Sequence, residues 1–184
     1  MKTILVKELM IPLKEYAHVY EDTSLYEAVI ALEDAQKESA IKKHRHRAML
    51  IFNKDEEIAG VLNQFDVLRA LEPKYSEIGP PKSLSHFGFT PAFLKSMFEQ
   101  FSLWSKPMET LCRKASGLKV RNFMYTPPET QYIKEDDSLD IAIHQLVMGN
   151  YQGLLVTKDG KAVGILRLVD VFSAICDSMK ACKI

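Results

Sequence analysis

The chain has 184 residues, of which 47% are hydrophobic and 26% charged, a composition typical of a globular protein with a buried core. Its 24 Lys and Arg residues balance its 24 Asp and Glu residues, so charge does not direct it to nucleic acid or to an anionic membrane. Three cysteines without ligand-like spacing argue against disulfides and a cysteine-rich zinc site, and neither a signal peptide nor a membrane span is visible. We therefore expect a cytoplasmic protein.

The chain contains an internal repeat. Residues 6–32 align without a gap on residues 120–146, with nine identities. Residues 50–70 align on residues 154–174, with eight identities. The shift is 114 residues in the first stretch and 104 in the second, so the first copy has an insertion between its halves. Such self-similarity predicts the architecture of the whole chain.

Three regions follow from this alignment. We expect repeat 1 at residues 1–72, with its insertion near residues 36–46, and repeat 2 at residues 120–184. The intervening residues 73–119 are expected to form a helical linker. Because only two copies are present, the pattern predicts a pseudo-symmetric pair rather than a longer repeat array.

Each repeat opens with a short segment that ends in prolines, at Pro12 and at Pro127–Pro128. Prolines keep the backbone extended and interrupt regular strand pairing. A brief strand is expected after each segment, around residues 18–20 and 131–133. A turn then leads into the first long helix of each repeat.

The first helices have recognisable beginnings. Ser24 with Glu27 three residues later predicts a capping box, and Ser138 is expected to cap the second helix although Ile141 cannot complete the box. Apolar residues then recur at the spacing of an amphipathic helix. The two matching stripes are Leu25, Ala28, Val29 and Leu32 in repeat 1, and Leu139, Ala142, Ile143 and Leu146 in repeat 2.

Two strands joined by a turn and a final helix complete each repeat. The expected strands are residues 48–52, 58–62, 154–157 and 162–166, and the final helices begin near Asn63 and Arg167. Each unit is therefore β-α-β-β-α, and about 60 residues alone would be marginally stable. We predict an α/β (α+β) fold in which the two units pack sheet to sheet around a pseudo-twofold axis. Two equivalent clefts are expected where they meet.

The linker predicts a helix of its own. Thr90 and Pro91 have the pattern of an N-cap and first helical residue. An apolar stripe follows, made of Phe93, Leu94, Met97, Phe98, Phe101 and Trp104. Packing against the repeats explains the stripe most simply. A homodimer contact or a groove for a partner protein is the alternative.

The last strand and helix carry a motif that resembles the CBS domain. Residues 60–66 and 164–170 both have glycine, two apolar residues and an aspartate at the start of the final helix. Val-x-x-x-Met openings and Glu-Asp-x-Ser-Leu before the first helix add to the likeness, which covers roughly residues 6–72 and 120–180. The whole is similar to a tandem CBS pair, also called a Bateman module.

The resemblance implies that the clefts bind an adenosine-containing ligand such as AMP, ADP, ATP or S-adenosylmethionine. In that family the motif aspartate accepts hydrogen bonds from the ribose hydroxyls, which implies this role for Asp66 and Asp170. The Thr or Ser that holds a phosphate is replaced by Asn63 and Arg167. An asparagine can cap the helix and donate to phosphate, and an arginine offers a fork of donors.

Further candidates come from the proline-bearing segment, which in the family lines the adenine pocket. This implies contacts by Pro12, Tyr125 and Thr126. In the basic run at residues 42–47, Arg45 or Arg47 could clamp a polyphosphate, whereas a solvated extension of the first helix is the simpler interpretation of most of the run.

Three functions are weighed. The first is a non-enzymatic regulatory module that senses an adenosine ligand and signals to a separate, unidentified protein, with a homodimer implied by the family. The second is a ligand-independent dimerisation or interaction scaffold that uses the aromatic linker helix. An enzyme is disfavoured, since the sequence has no nucleophile-base set, metal-ligand spacing or glycine-rich phosphate loop.

Overall fold

The computed structural model describes residues 4–41, 47–78, 90–105 and 107–181. The strands in chain order are β1 (Ile11–Pro12), β2 (His18–Tyr20), β3 (Ala48–Phe52), β4 (Ile58–Asn63), β5 (Tyr132–Lys134), β6 (Gly153–Lys158) and β7 (Lys161–Arg167). The α-helices are α1 (Leu25–Ile41), α2 (Gln64–Leu71), α3 (Tyr75–Ile78), α4 (Pro91–Gln100), α5 (Met108–Gly117), α6 (Leu139–Gly149) and α7 (Leu168–Ala181). Within the described residues, no helix is both long and apolar enough to cross a bilayer.

The two repeats have the same topology. In repeat 1, β2 runs parallel to β3 and β3 runs antiparallel to β4. In repeat 2, β5, β6 and β7 repeat this arrangement. With α1 and α2, or α6 and α7, each unit is β-α-β-β-α, as the sequence predicted.

The sheets of the two repeats pack against each other through a central cluster of buried side chains. The cluster contains Leu50 and Val61 from repeat 1, Leu155 and Ile165 from repeat 2, and Tyr16 from the segment between β1 and β2. Two further clusters lie on the outer faces of the sheets, under the helices of each repeat. The predicted sheet-to-sheet packing is therefore confirmed, and burying apolar side chains from both units explains how two small repeats share one core.

Each repeat lends its opening segment to the other. Ile11 in β1 pairs with Ile165 in β7, so the sheet of repeat 2 has four strands in the order β1-β7-β6-β5. Reciprocally, Tyr125 forms an isolated bridge with Val61 in β4. Although prolines were expected to interrupt pairing, Pro12 remains in register with Gly164, at the outer edge of the sheet where proline is tolerated.

The exchange continues into the cores. The amide of Val6 donates to the carbonyl of Asp137 at 2.9 Å, and the amide of Val120 donates to the carbonyl of Thr23 at 3.1 Å. Both valines are fully buried, Val6 in the core of repeat 2 and Val120 in the core of repeat 1. The crossing contacts obey the predicted pseudo-twofold symmetry.

The structure corrects one part of the sequence alignment. Leu50 lies opposite Val61, and Leu155 lies opposite Ile165, so Leu50 corresponds to Leu155 and not to Leu154. A shift by one residue places a strand side chain on the opposite face. Leu50 and Leu155 both lie between the sheets, whereas Leu154 lies under the helices. The turn between β3 and β4 is one residue longer than its counterpart, which the identical Lys-Asp pairs in both turns concealed.

The helix caps are only partly as expected. Ser24 and Glu27 form the predicted capping box, in which the Glu27 amide donates to Ser24 Oγ at 3.2 Å and the Ser24 amide donates to Glu27 Oε2 at 3.0 Å. The side chain of Ser138 makes no cap hydrogen bond. The Asp140 carboxylate instead accepts hydrogen bonds from the Ser138 side chain and from nearby backbone amides, which lowers the pKa of Asp140.

The insertion in repeat 1 lengthens its first helix, since α1 has 17 residues and α6 has 11. The rest of the basic run, residues 42–46 including Arg45, lies outside the described residues.

The segment between the repeats contains α3, α4 and α5. Thr90 caps α4 as predicted, with Oγ1 accepting from the Phe93 amide at 3.2 Å. The helix ends at Gln100, so the predicted stripe does not continue to Trp104 on the same helix. Ser102 and Trp104 have positive φ, and the Trp104 amide donates to Glu72 Oε2 at 2.8 Å. The chain turns back there onto the C-terminal end of α2.

Candidate functional site

Two repeat-related sites lie where the opening segment of one repeat meets the final helix of the other. We call the residues Asn63, Asp66, Tyr125 and Thr126 the Asp66 site, and the residues Pro12, Tyr16, Arg167 and Asp170 the Asp170 site. At the Asp66 site, the bridge between Val61 and Tyr125 joins β4 to the opening of repeat 2. At the Asp170 site, β1 joins β7 to the opening of repeat 1.

Asp66 is held at the first turn of α2 by a reciprocal cap. Asn63 Oδ1 accepts from the amides of Phe65 and Asp66 at 2.8 and 3.1 Å, and Asp66 Oδ2 accepts from the Asn63 amide at 3.0 Å. Asp66 Oδ1 lies 3.9 Å from a guanidinium nitrogen of Arg69, a long ion pair with a largely exposed side chain. One carboxylate oxygen is therefore fixed by the backbone, and within the described residues the other has only this loose partner.

Burial of the Asp66 carboxyl raises its pKa above the ordinary value. The hydrogen bond from Asn63 and the charge of Arg69 oppose the shift but do not cancel it. When a carboxylate is desolvated and has no close cation, hydrogen-bond donors that approach it stabilise its ionised form. The Asp66 site thus has an acceptor suited to neutral hydroxyl donors.

Tyr125 is a fixed part of the Asp66 site. Its hydroxyl forms hydrogen bonds with Gln131 Oε1 and Nε2 at 3.0 and 2.9 Å, and Gln131 Nε2 also donates to the Gly153 carbonyl at 3.0 Å. Burial raises the pKa of Tyr125, the Gln131 hydrogen bond opposes this, and the nearby Asp66 carboxylate adds to it. Thr126 follows Tyr125 and is exposed. The ring is therefore anchored, whereas the side chain of Thr126 is open to solvent.

Arg47 lies next to the same site. It is exposed and directly precedes Ala48, the register partner of Asn63. A cation at this position lies near the N-terminal end of α2, where free amides favour anions.

The Asp170 site differs in its polar contacts. Arg167 Nε and a terminal guanidinium nitrogen donate to the two oxygens of Asp170 at 2.6 and 2.7 Å. Sequence analysis offered the Arg167 fork as a phosphate contact, but in the structure the fork engages Asp170. Pro12 lies on the same side of the junction, opposite Gly164.

Tyr16 packs beside this pair and is itself buried. Burial raises the pKa of Tyr16 to about 12, the Arg167 guanidinium opposes the shift, and the Asp170 carboxylate adds to it. The phenol therefore stays neutral at physiological pH. A protonated tyrosine and an internal ion pair together occupy the Asp170 site.

The structure thus brings seven of the nine predicted residues into two groups, leaves Arg47 beside the first group, and does not describe Arg45. Sequence reasoning missed Gln131 and Tyr16. Neither residue has an identical counterpart in the other repeat, since Gln131 aligns on Ala17 and Tyr16 on Thr130. Their burial results from the crossing of the opening segments, for which the periodicity gives no signal.

A separate cavity of about 430 Å³ lies between the end of α2 and α5, away from both sites. Leu71, Trp104 and Lys114 contribute to its lining. Within the described ranges, no three His, Cys, Asp or Glu side chains are arranged to hold a metal ion.

Comparison with known families gives two matches to one model. The model described as CBS domain matches residues 6–73 and residues 120–177, which together exceed half of the chain. No curated protein matches the sequence.

Solved structures with similar folds include several CBS domain proteins. A CBS domain-containing protein of unknown function from Bacillus anthracis str. Ames Ancestor is 16% identical with a TM-score of 0.61, and the match covers 95% of this chain and 94% of that one. The CBS domain of a bacterial CNNM/CorC family Mg²⁺ transporter in complex with ATP is 15% identical, with a TM-score of 0.59 and coverage of 94% and 87%. CBSX2 in complex with AMP is 22% identical, with a TM-score of 0.53 and coverage of 94% and 97%.

Proposed function

The chain belongs to the CBS domain family, and from this premise we propose that it is a non-enzymatic regulatory module that binds an adenosine-containing ligand between its two repeats. Two proteins of similar fold hold adenine nucleotides, ATP in one and AMP in the other. At 15% and 22% identity these likenesses concern the fold, so the ligand must be argued from the residues of this chain.

The observation that carries the proposal is the state of Asp66. Its carboxylate is buried at the start of a helix, and Oδ1 lies 3.9 Å from its nearest described cation. Burial removes the water molecules that would donate hydrogen bonds to this carboxylate. Two vicinal hydroxyls of a ribose would replace them as donors. Hydrogen bonds to a charged acceptor are stronger than neutral ones, so they favour such a ligand.

The surroundings of Asp66 favour a phosphorylated adenosine. The start of α2 and the exposed Arg47 lie on the same side of the junction, and both attract anions. Asn63 uses its Oδ1 as the cap, which leaves its amide nitrogen as a donor. We therefore expect AMP, ADP or ATP to bind in preference to S-adenosylmethionine.

Isothermal titration of AMP, ADP, ATP and S-adenosylmethionine into the full chain tests this function, after the purified protein has been shown to carry no ligand. Saturable binding of an adenosine phosphate, with weaker binding of unphosphorylated adenosine and of GMP, is the expected result. Tighter binding of S-adenosylmethionine would reject the phosphate preference. No heat from any of the four ligands, with folded protein, would reject the sensor function.

A ligand at the junction can signal by changing how the repeats present their outer helices, provided that it favours one arrangement over another. The exposed side chains on those helices are apolar at repeat-equivalent positions. Phe65 and Leu68 on α2 correspond to Val169 and Phe172 on α7, and Phe65 is 73% and Phe172 64% exposed. We propose that this face pairs with a second copy and that the homodimer acts on a separate, still unidentified protein.

Sedimentation velocity of Leu68→Asp and Phe172→Asp tests the dimer. The unmodified chain is expected to sediment as a dimer, and each variant as a monomer at the same concentration, because a charge within an apolar interface must lose its water. Val147→Asp is the matched control, since Val147 is also apolar and is 70% exposed but belongs to α6 and not to α2 or α7. A monomeric unmodified chain would contradict the proposal.

One observation favours a second function, a ligand-independent interaction scaffold. On α4 the side chains of Phe93, Leu94 and Phe98 are exposed, so the simplest interpretation of the stripe, packing against the repeats, does not account for them. If no adenosine ligand binds, α4 is the surface to test. Replacing Phe93 and Phe98 by Ser would then abolish self-association or partner binding without unfolding the chain.

A further inference from the structure

The two aspartate sites are equivalent by position but not by charge. Asn63 and Arg167 occupy the same place before the final helix, and Asp66 and Asp170 follow three residues later. A neutral amide therefore accompanies the first aspartate, and a guanidinium accompanies the second. This difference decides which of the two carboxylates can accept hydrogen bonds from a ligand.

The pair at the Asp170 site is bidentate and mostly buried. The side chains of Arg167 and Asp170 are 9% and 12% exposed, and both oxygens of the carboxylate accept a hydrogen bond of 2.7 Å or shorter. Parallel hydrogen bonds between a guanidinium and a carboxylate are among the strongest in proteins. At the Asp66 site, the cation nearest to the carboxylate is Arg69, which is largely exposed and 3.9 Å away.

Ribose hydroxyls are neutral donors and compete poorly for Asp170. To bind there, a ligand would have to displace Arg167 from a site that has little water, and the displaced guanidinium would need a new acceptor. Removal of one partner from a buried ion pair leaves the other charge uncompensated. Tyr16, contributed by the other repeat, is buried against the same pair and restricts the space further.

We propose that Arg167 replaces the ligand at Asp170, so that the chain binds one adenosine ligand, at the Asp66 site, and keeps the Asp170 site closed as a structural contact. This inference rests on the proposed function. It assigns Arg167 as the residue that limits the number of bound ligands. It also implies that ligand binding directly changes contacts at the Asp66 site only, and not at the Asp170 site.

Isothermal titration of AMP gives the number of sites per chain and tests the inference. The unmodified chain is expected to bind one AMP, and Asp66→Asn is expected to bind it about 100-fold more weakly. Arg167→Ser, which restores a hydroxyl residue at this position, is expected to bind two. The double variant Asp66→Asn with Arg167→Ser is expected to bind one, at the opened second site.

A further variant avoids the unpaired charge that Arg167→Ser leaves behind. Arg167→Gln with Asp170→Asn replaces both charges by amides and is expected to keep one AMP per chain with affinity within twofold of the unmodified chain. Two AMP molecules per unmodified chain, a site that survives Asp66→Asn, or more than tenfold weaker binding after the amide exchange would overturn the assignment. A folded Arg167→Ser protein that still binds one AMP would do the same. If the unmodified chain binds no AMP or other adenosine ligand, the proposed function itself fails.

Discussion

Alanine at Gly164 is expected to lower the free energy of unfolding by about 2–3 kcal/mol, the upper part of the range for overpacked sites. A Cβ at this position would lie 2.7 Å from the carbonyl oxygen of Ile11 and 2.9 Å from the sulfur of Met10. The carbonyl belongs to β1, the strand that repeat 1 lends to the sheet of repeat 2. The backbone cannot yield without loosening that pairing, so the substitution acts on the joint between the repeats.

The matched position in repeat 1 provides an internal comparison. At Gly60, the nearest atoms to an added Cβ are the sulfur and Cγ of Met124, at 2.8 and 2.9 Å, and the Tyr125 carbonyl oxygen lies at 3.0 Å. Methionine side chains are flexible and can move aside. We therefore expect Gly60→Ala to cost about 1 kcal/mol, the lower part of the same range.

Urea denaturation followed by circular dichroism measures all three variants, with Gly117→Ala as the control. Gly117 has no atom within 4 Å of an added Cβ and ends α5, so alanine there is expected to be neutral or stabilising by about 0.5 kcal/mol. If alanine lowers the free energy of unfolding equally at Gly164 and Gly60, it does not matter whether the nearest atom belongs to the backbone or to a flexible side chain. That result would contradict the prediction.

Asparagine at Asp66 is expected to weaken nucleotide binding by about 100-fold, since two hydrogen bonds lose a charged acceptor and each such bond exceeds a neutral one by about 1–1.5 kcal/mol. The substitution keeps an oxygen that can accept from the Asn63 amide, so the cap of α2 survives. Asp177→Asn on α7 is the control, because its carboxylate is exposed and far from the start of either final helix. If Asp66→Asn lowers nucleotide affinity by less than fivefold, Asp66 does not contact the ligand.

The same carboxyl predicts two pH dependences of opposite direction. Burial raises the pKa of Asp66 in the folded protein above its unfolded value, so ionisation costs stability. As the pH rises through the folded pKa, the unmodified chain should therefore lose stability relative to Asp66→Asn. Ligand affinity should instead fall as the pH drops through that pKa, because a protonated carboxyl cannot accept from both hydroxyls. Titration at pH 7 and below, with parallel urea denaturation, checks both directions.

Local signals predicted much of this fold. The repeat identities, the helical stripes and the turn compositions predicted both β-α-β-β-α units, and the Ser24 capping box followed from two residues three positions apart. Position at the start of a final helix likewise places Asp66 and Asp170 at equivalent points of the two repeats. These features depend on neighbours in sequence, which periodicity and capping patterns describe well.

What the sequence did not predict depends on strand register and on which of several nearby partners a polar side chain takes. The one-residue slip between β3 and β6 is visible only in the pairing of Leu50 with Val61 and of Leu155 with Ile165. The Arg167–Asp170 pair was not anticipated, because the motif implies a phosphate contact for Arg167 and a ribose contact for Asp170 and does not indicate that the two side chains bind each other. The loss of the Ser138 cap depends on competition from Asp140, a residue inside the first turn of α6.

The exchanged opening segments also set an order of events during folding. Val120 completes the core of repeat 1, yet the chain reaches it only after the whole linker has been made. Repeat 1 therefore cannot complete its core while its last residues are leaving the ribosome, because Ala115 and Val120, which belong to that core, are made later. Contacts so distant in sequence raise the contact order and slow folding, whereas loop length has a weak effect on closure entropy. The linker thus governs the time that the nascent protein remains vulnerable to aggregation more than its final stability.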